Sequence, residues 1–232
     1  MPVLLLCLPL LLSAQPDVDS VEKARRLLQR AQQALGGAER LAAVKDFTSV
    51  AQVEFQSAGA VMKATQTNRW IAPSHFRQDV ALPFGKISSY FDGQAGWISG
   101  PQGTGPMPAP VLKQAEGETF RAFFRLLVSD RVADRTVNLA GPDVVEISDK
   151  QGNAVRLQMD PKTGLPVKQS YQSVGEPPSQ VEAVYDEWME VDGIRAPRKI
   201  TIHRAGARFG ATTFQEVKLN AGLKVEAISK QP

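Results

Sequence analysis

YFDGQAGW, residues 90–97, is the stretch on which the reading of this chain turns. Asp92-Gly93 stands between two strand-like runs, 86–91 and 94–99. Asp-Gly in that position marks a hairpin, because glycine accepts the positive φ that a tight turn requires. The rival reading makes Asp92 a catalytic carboxylate beside aromatic side chains. A similar phrase, EVDGIRAP, recurs at residues 190–197, again after a strand-like run. The recurrence favours turn formation, so Asp92 and Asp192 are read as turn residues.

Outward from this hairpin the same grammar continues. Val53 and Phe55 alternate with Gln52, Glu54 and Gln56. Val155, Leu157 and Met159 alternate with Arg156, Gln158 and Asp160, and Ile200 and Ile202 with Lys199, Thr201 and His203. Period two is that of a strand with one face in water. Further strand-like runs lie at 61–71, 75–82, 143–149, 166–173, 180–189 and 209–219. Lys150-Gln151-Gly152-Asn153 and Asp160-Pro161-Lys162-Thr163-Gly164 supply turn chemistry between them.

Two helices interrupt the pattern. Asp19, with Glu22 three positions on, is spaced as a capping box. Val21, Ala24, Leu28, Ala31 and Leu35 then recur at helical spacing, and Gly36-Gly37 ends the run. Residues 38–44 form a short second turn. GPQGTGPMPAPV, residues 100–111, reads as a Gly/Pro-rich loop. A helix is predicted over about 111–128, with Leu112, Ala115, Thr119, Phe123 and Leu127 in one stripe widened by Phe120, Phe124 and Val128. The fold class is α+β: one curved antiparallel sheet of about ten strands, with an N-terminal and a mid-chain helix on its concave face. A sheet of that size curls because strands twist. Curled around helices, it is expected to keep an apolar hollow.

The 232 residues suffice for a substantial core, and nothing between 16 and 232 reads as an interdomain linker. A net charge of +3 without a Lys/Arg run argues against nucleic acid. Residues 1–15, MPVLLLCLPLLLSAQ, form an uncharged Leu-rich run followed by small residues. They read as a secretory signal cut near Ala14 or Gln15, too short for a permanent span. The only cysteine, Cys7, falls within it, so the exported chain has no disulfide, thiol nucleophile or sulfur metal site. That combination suits a periplasm.

Catalytic chemistry is hard to find. The two histidines, His75 and His203, sit at a strand entry and on a polar strand face. HExxH, GxSxG and phosphate-loop patterns are absent. Asp186, Glu190 and Asp192 are read as a strand end entering a turn, not a calcium site. Arg195, Arg198, Lys199, Arg204 and Arg208 are read as an exposed sheet face that is able to meet lipid headgroups or an acidic partner. No cofactor, no metal and no catalytic residue is assigned, and the chain is read as non-enzymatic.

The phrases ALGGAERLAAVKDF (34–47), YFDGQAGW (90–97), MDPKTGLPVKQSY (159–171), VDGIRAPRKI (191–200) and FQEVKLNAGL (214–223), in this order, resemble the outer-membrane lipoprotein carrier (LolA-like) superfamily. The N-terminal phrase looks more like other branches of the superfamily than like the carrier itself. The resemblance implies an antiparallel half-barrel, open on one side, with helices as a lid over an apolar cavity. It also implies periplasmic proteins that carry acyl chains of lipoproteins or lipids, or sense them while regulating an anti-sigma factor.

From the residues, the side chains expected to line the cavity are Trp70, Phe76, Trp97, Phe120, Phe123, Phe124, Leu127 and Trp188. The expected partner is a lipid or lipoprotein acyl chain held by a monomer, with an envelope membrane protein as a further partner. The alternative is a protein-binding regulator or envelope-assembly factor on the same fold. The helix after the 100–111 loop is expected to swing on that loop's Gly and Pro residues.

Overall fold

A computed structural model describes residues 18–57, 59–175 and 177–232; the leader read at residues 1–15 lies outside them. Helix α1 (Val18–Ala34) follows the predicted spacing. Ala24, Leu28 and Ala31, with Leu35 just past its end, are fully buried. Asp19 lies inside the first turn, not ahead of it, and pairs with Lys23 at 2.5 Å. The glycine stop is a Schellman cap: Gly37 N–H donates to Gln32 C=O at 2.8 Å and Gly36 N–H to Gln33 C=O at 3.2 Å. A short helix α2 (Ala38–Ala42) follows.

Thirteen strands among the described residues form one open sheet. They are β1 (Asp46–Ser57), β2 (Ala60–Ile71), β3 (His75–Leu82), β4 (Gly85–Phe91), β5 (Gly96–Gly100), β6 (Gly103–Pro106), β7 (Arg135–Gly141), β8 (Val144–Asp149), β9 (Ala154–Met159), β10 (Pro166–Gln172), β11 (Gln180–Val191), β12 (Ile194–Arg204) and β13 (Ala207–Leu219). The order across the sheet is β6-β5-β4-β3-β2-β1-β13-β12-β11-β10-β9-β8-β7. Every neighbouring pair is antiparallel. The count exceeds the expected ten. One extra strand, β6, falls in the stretch read as a loop, where Gly and Pro are tolerated because the strand is an edge.

Asp192-Gly193 closes a two-residue hairpin with φ of +51° and +74°, as a type I′ turn requires. The Asp92 turn is longer. Phe91 pairs with Gly96, and the Asp92 carboxylate accepts the Gln94 and Ala95 N–H groups at 2.8 Å each. Those bonds, the Ala95 one foremost, hold its carboxyl below the usual range. Asp92 is thus a turn residue.

The single mid-chain helix of the sequence reading is broken. Helix α3 (Ala109–Phe120) ends at Arg121, Ala122 leaves the helical conformation at ψ 120°, and α4 (Phe123–Leu126) leads into a 3-10 turn at Ser129–Arg131. Thr119 Oγ bonds back to the carbonyls of Ala115 and Glu116 at 3.1 and 2.9 Å, which competes with the helical ladder. Arg135 from β7 takes up the Phe120 C=O freed by the break at 2.7 Å and donates also to Arg125 C=O in α4 at 3.3 Å. Burial lowers its guanidinium pKa to about 10.

Helices α1, α2 and α4 and the end of α3 pack on one face of the sheet, here the inner face, through a core that includes Val145, Ile147, Val155, Leu157 and Met159. A last helix, α5 (Val225–Ser229), lies on the outer face against β3 and β4. Its Ile228 is buried against Tyr90 and Trp97, and Trp97 Nε1 donates to Ser229 C=O at 2.8 Å. Ile228→Ala is expected to cost about 2 kcal/mol and to red-shift the emission of Trp97. Urea denaturation followed by fluorescence checks this; an unchanged midpoint and spectrum would show that α5 contributes nothing.

Candidate functional site

Seven of the eight side chains proposed from sequence meet in the inner core. Trp70, Phe120, Phe124 and Leu127 are buried, and Phe76, Phe123 and Trp188 are half-buried against them. Trp97 is not among them. In the β4–β5 register Trp97 pairs with Tyr90, whereas Phe91 and Gly96 share the inner face. Successive residues of a strand point to opposite faces, so Trp97 belongs to the outer surface under α5.

The inner aromatics form a chain across the sheet. Trp70 stacks on Phe47 with ring centres 5.6 Å apart, and Phe47 meets Phe124 edge-on at 5.7 Å. Phe124 touches Phe123 at 5.5 Å, and Phe123 reaches Tyr185 at 5.5 Å and Trp188 at 6.2 Å. Edge-to-face contacts of this kind add to plain burial. Trp188 takes part because Glu187, at φ +51°, breaks the strict alternation of β11.

The expected hollow is for the most part filled by these rings. Beside these rings lies an apolar cleft of about 80 Å³ bounded by Phe47, Phe123, Phe124, Ile200, Phe214 and Val217. That is smaller than the roughly 300 Å³ at which pockets begin to enclose whole small ligands. Of the eight candidates, Phe123 and Phe124 line it. Phe120 and Leu127 are core, with Phe120 lying under the Arg135 guanidinium at 4.4 Å. Phe47, Ile200, Phe214 and Val217 were missed by the sequence reading, although Ile200 lies on an alternating strand and Phe47 opens another. Along β1–β3 the inner face turns polar beside the cleft: Asn68 Oδ1 accepts from Gln66 at 3.1 Å and from Gln78 at 3.3 Å.

Arg121 stands at the other end of the aromatic chain. Its guanidinium carbon is 3.7 Å from the centre of the Tyr171 ring. Burial disfavours its charged form, opposed by Tyr171 and Glu118. Gly117 makes room for it, since a Cβ there would lie 2.8 Å from a guanidinium nitrogen. Burial pushes the nearby Tyr185 hydroxyl well above the ordinary phenol range.

The histidines are apart from this region. His75 Nδ1 is 2.8 Å from the Tyr90 hydroxyl, and His203 pairs with Glu182 across β11–β12. Among the described residues no group of three or more His, Cys, Asp or Glu could hold a metal ion.

No protein-family model matches the chain, and no curated protein matches it by sequence. Solved structures do match. A LolA superfamily protein from Nitrosomonas europaea superposes with a TM-score of 0.62 at 16% identity, over 89% of this chain and 97% of its own. The fold is LolA-like. A DUF1329 family protein from Desulfovibrio piger gives 0.56 at 14% identity, over 88% and 95%. A domain from Vibrio parahaemolyticus described as outer membrane lipoprotein-sorting gives 0.54 at 9% identity, over 90% and 96%. The superposition spans nearly the whole of each of these neighbours.

Proposed function

We propose that this chain is a non-enzymatic periplasmic binder of an acyl chain or similar lipid, exported by the leader at residues 1–15. One observation carries the reading: the apolar cleft at Phe123 and Phe124, open beside a broken helix and walled almost entirely by hydrocarbon. A buried methylene contributes about 0.8 kcal/mol, so a dozen give about 10 kcal/mol before association costs.

The cleft in its present state takes only part of such a chain. The rest enters as the Phe123–Leu126 segment moves away from the sheet. The hinge for that motion is the non-helical break at Arg121–Ala122. The 100–111 loop is a poorer hinge than its composition suggests, because Gly103–Pro106 is hydrogen-bonded into the sheet as β6. The LolA-like fold of the neighbours agrees with this reading.

Protein purified from its own periplasm is expected to carry lipid, seen as an added mass in native mass spectrometry and recovered by organic extraction. A clean apo mass with nothing extractable overturns the reading. Recovery of one stoichiometric protein and no lipid after envelope crosslinking would favour a protein-binding role instead.

A further inference from the structure

We propose that the cleft selects single-chain amphiphiles with an anionic headgroup, and that Arg121 recognises the charge. The inference rests on the lipid-binding reading and adds to it the polar end of the ligand.

The first observation is the isolation of Arg121. Among the described residues it makes no ion pair, and it donates to no carboxylate and no backbone carbonyl. Arg135 differs: it is held by Phe120 C=O, Arg125 C=O and the Ser129 hydroxyl. Arg69, Arg77 and Arg131 each meet a carboxylate. A guanidinium carries five N–H donors in a fork that matches carboxylate and phosphate oxygens. Withdrawing such a cation from water without an ion pair is unfavourable, and here it is offset by the Tyr171 ring and hydroxyl, by the attraction of Glu118 and by the gap at Gly117.

The second observation is placement. Tyr171 lies on the inner face of β10, two residues beyond Gln169, whose buried Oε1 has no partner. Arg121 is also the residue at which α3 ends, immediately before Ala122 and Phe123. Phe123 lines the cleft and touches Tyr185 at 5.5 Å. Arg121 is thus linked to the apolar cleft through Phe123, its neighbour but one in the chain, and the buried Tyr185 ring. A ligand that satisfies both ends has an anion at one terminus and a hydrocarbon chain at the other. Carboxylate and phosphate share the chemistry that the guanidinium reads.

The test uses the delipidated mature chain and three probes of equal tail, namely dodecanoate, dodecyl phosphate and dodecanol, in calorimetric titrations. Both anions are expected to bind at least about tenfold more tightly than dodecanol, the range of a charge-assisted hydrogen bond. Arg121→Gln is expected to abolish that advantage, so that the two anions bind this variant no more tightly than dodecanol does, while Arg121→Lys retains part of it. A higher affinity for one anion over the other identifies its source as an acyl carboxylate or a phosphate headgroup. If the unaltered chain binds all three within about twofold, or if the Gln variant keeps the full anion advantage, the role of Arg121 is overturned and lipid binding stands. If none of the three binds, the lipid-binding reading falls as well.

Discussion

Asp79→Asn is expected to lower stability by about 3 kcal/mol at neutral pH, the scale of breaking one side of a buried ion pair. Asp79 is buried on the outer face of β3 and collects several donors. Arg69 Nη1 lies at 2.7 Å, Arg77 Nε at 3.0 Å, Lys86 Nζ at 3.3 Å and the Ser88 hydroxyl at 2.6 Å. Burial alone would raise its pKa. The hydrogen bonds from Arg77 and Ser88 and the charges of Arg77 and Lys86 outweigh burial and hold the carboxyl well below the usual range. Arg77 also donates to the carbonyls of Ile228 and Lys230, so the same network ties α5 down.

The pH dependence follows in sign. A carboxyl depressed in the folded state contributes stability above its unfolded pKa of about 4 and loses it as pH falls below that value. Urea midpoints of the unaltered chain should therefore drop between pH 5 and pH 3 by more than those of the Asn variant, and the two curves should converge in acid. Equal midpoints at pH 7 would show that the cluster is merely a surface arrangement.

Gly36→Ala is expected to cost a further about 3 kcal/mol, through backbone alone. Gly36 has φ +117°, and a Cβ there would lie 2.2 Å from the Gly193 carbonyl oxygen. The close approach is functional in packing terms: Arg195 N–H donates to Leu35 C=O at 2.8 Å, fastening the end of α1 to the β11–β12 hairpin. Gly37→Ala is the control. Its φ is +108° and its ψ 144°, but no atom of another segment lies within 4 Å of the added carbon, so only the backbone strain of about 2 kcal/mol remains. Thermal melts of the two variants check the difference; equal losses would mean that the contact with Gly193 does not matter.

Much of the architecture was legible because it rests on local rules. Val155, Leu157 and Met159 alternate in sequence and are buried in the structure, and so are Ala24, Leu28, Ala31 and Leu35 of the α1 stripe, with Val21 half-buried. Glycine turns fell where Asp-Gly predicted them. The missing parts depend on partners far along the chain. Gly103–Pro106 has no strand propensity and becomes β6 only through β5. Val137 and Leu139 do alternate with Thr136 and Asn138, a signal in β7 that a short segment after a helix conceals. The break after Phe120 leaves a carbonyl that Arg135 takes up from β7, and no local pattern announces that. The site was half legible for the same reason. Bulky aromatics at 120–127 mark the right segment, but which of them line a cleft and which fill core depends on Phe47, Phe214 and Val217 from distant strands.

The position of the last strand has a consequence for how the molecule is made. The chain lays down two meanders, β1 to β6 and β7 to β13, whose far edges are the middle of the sequence and whose seam is the pairing of β1 with β13. Until Ala207–Leu219 is available, each half presents a bare central edge, the kind of surface that recruits stray strands. Closing the seam joins the two ends of the described sheet in one late, entropically demanding step. A nascent chain arrested before residue 207 should thus be far more prone to self-association than the complete one.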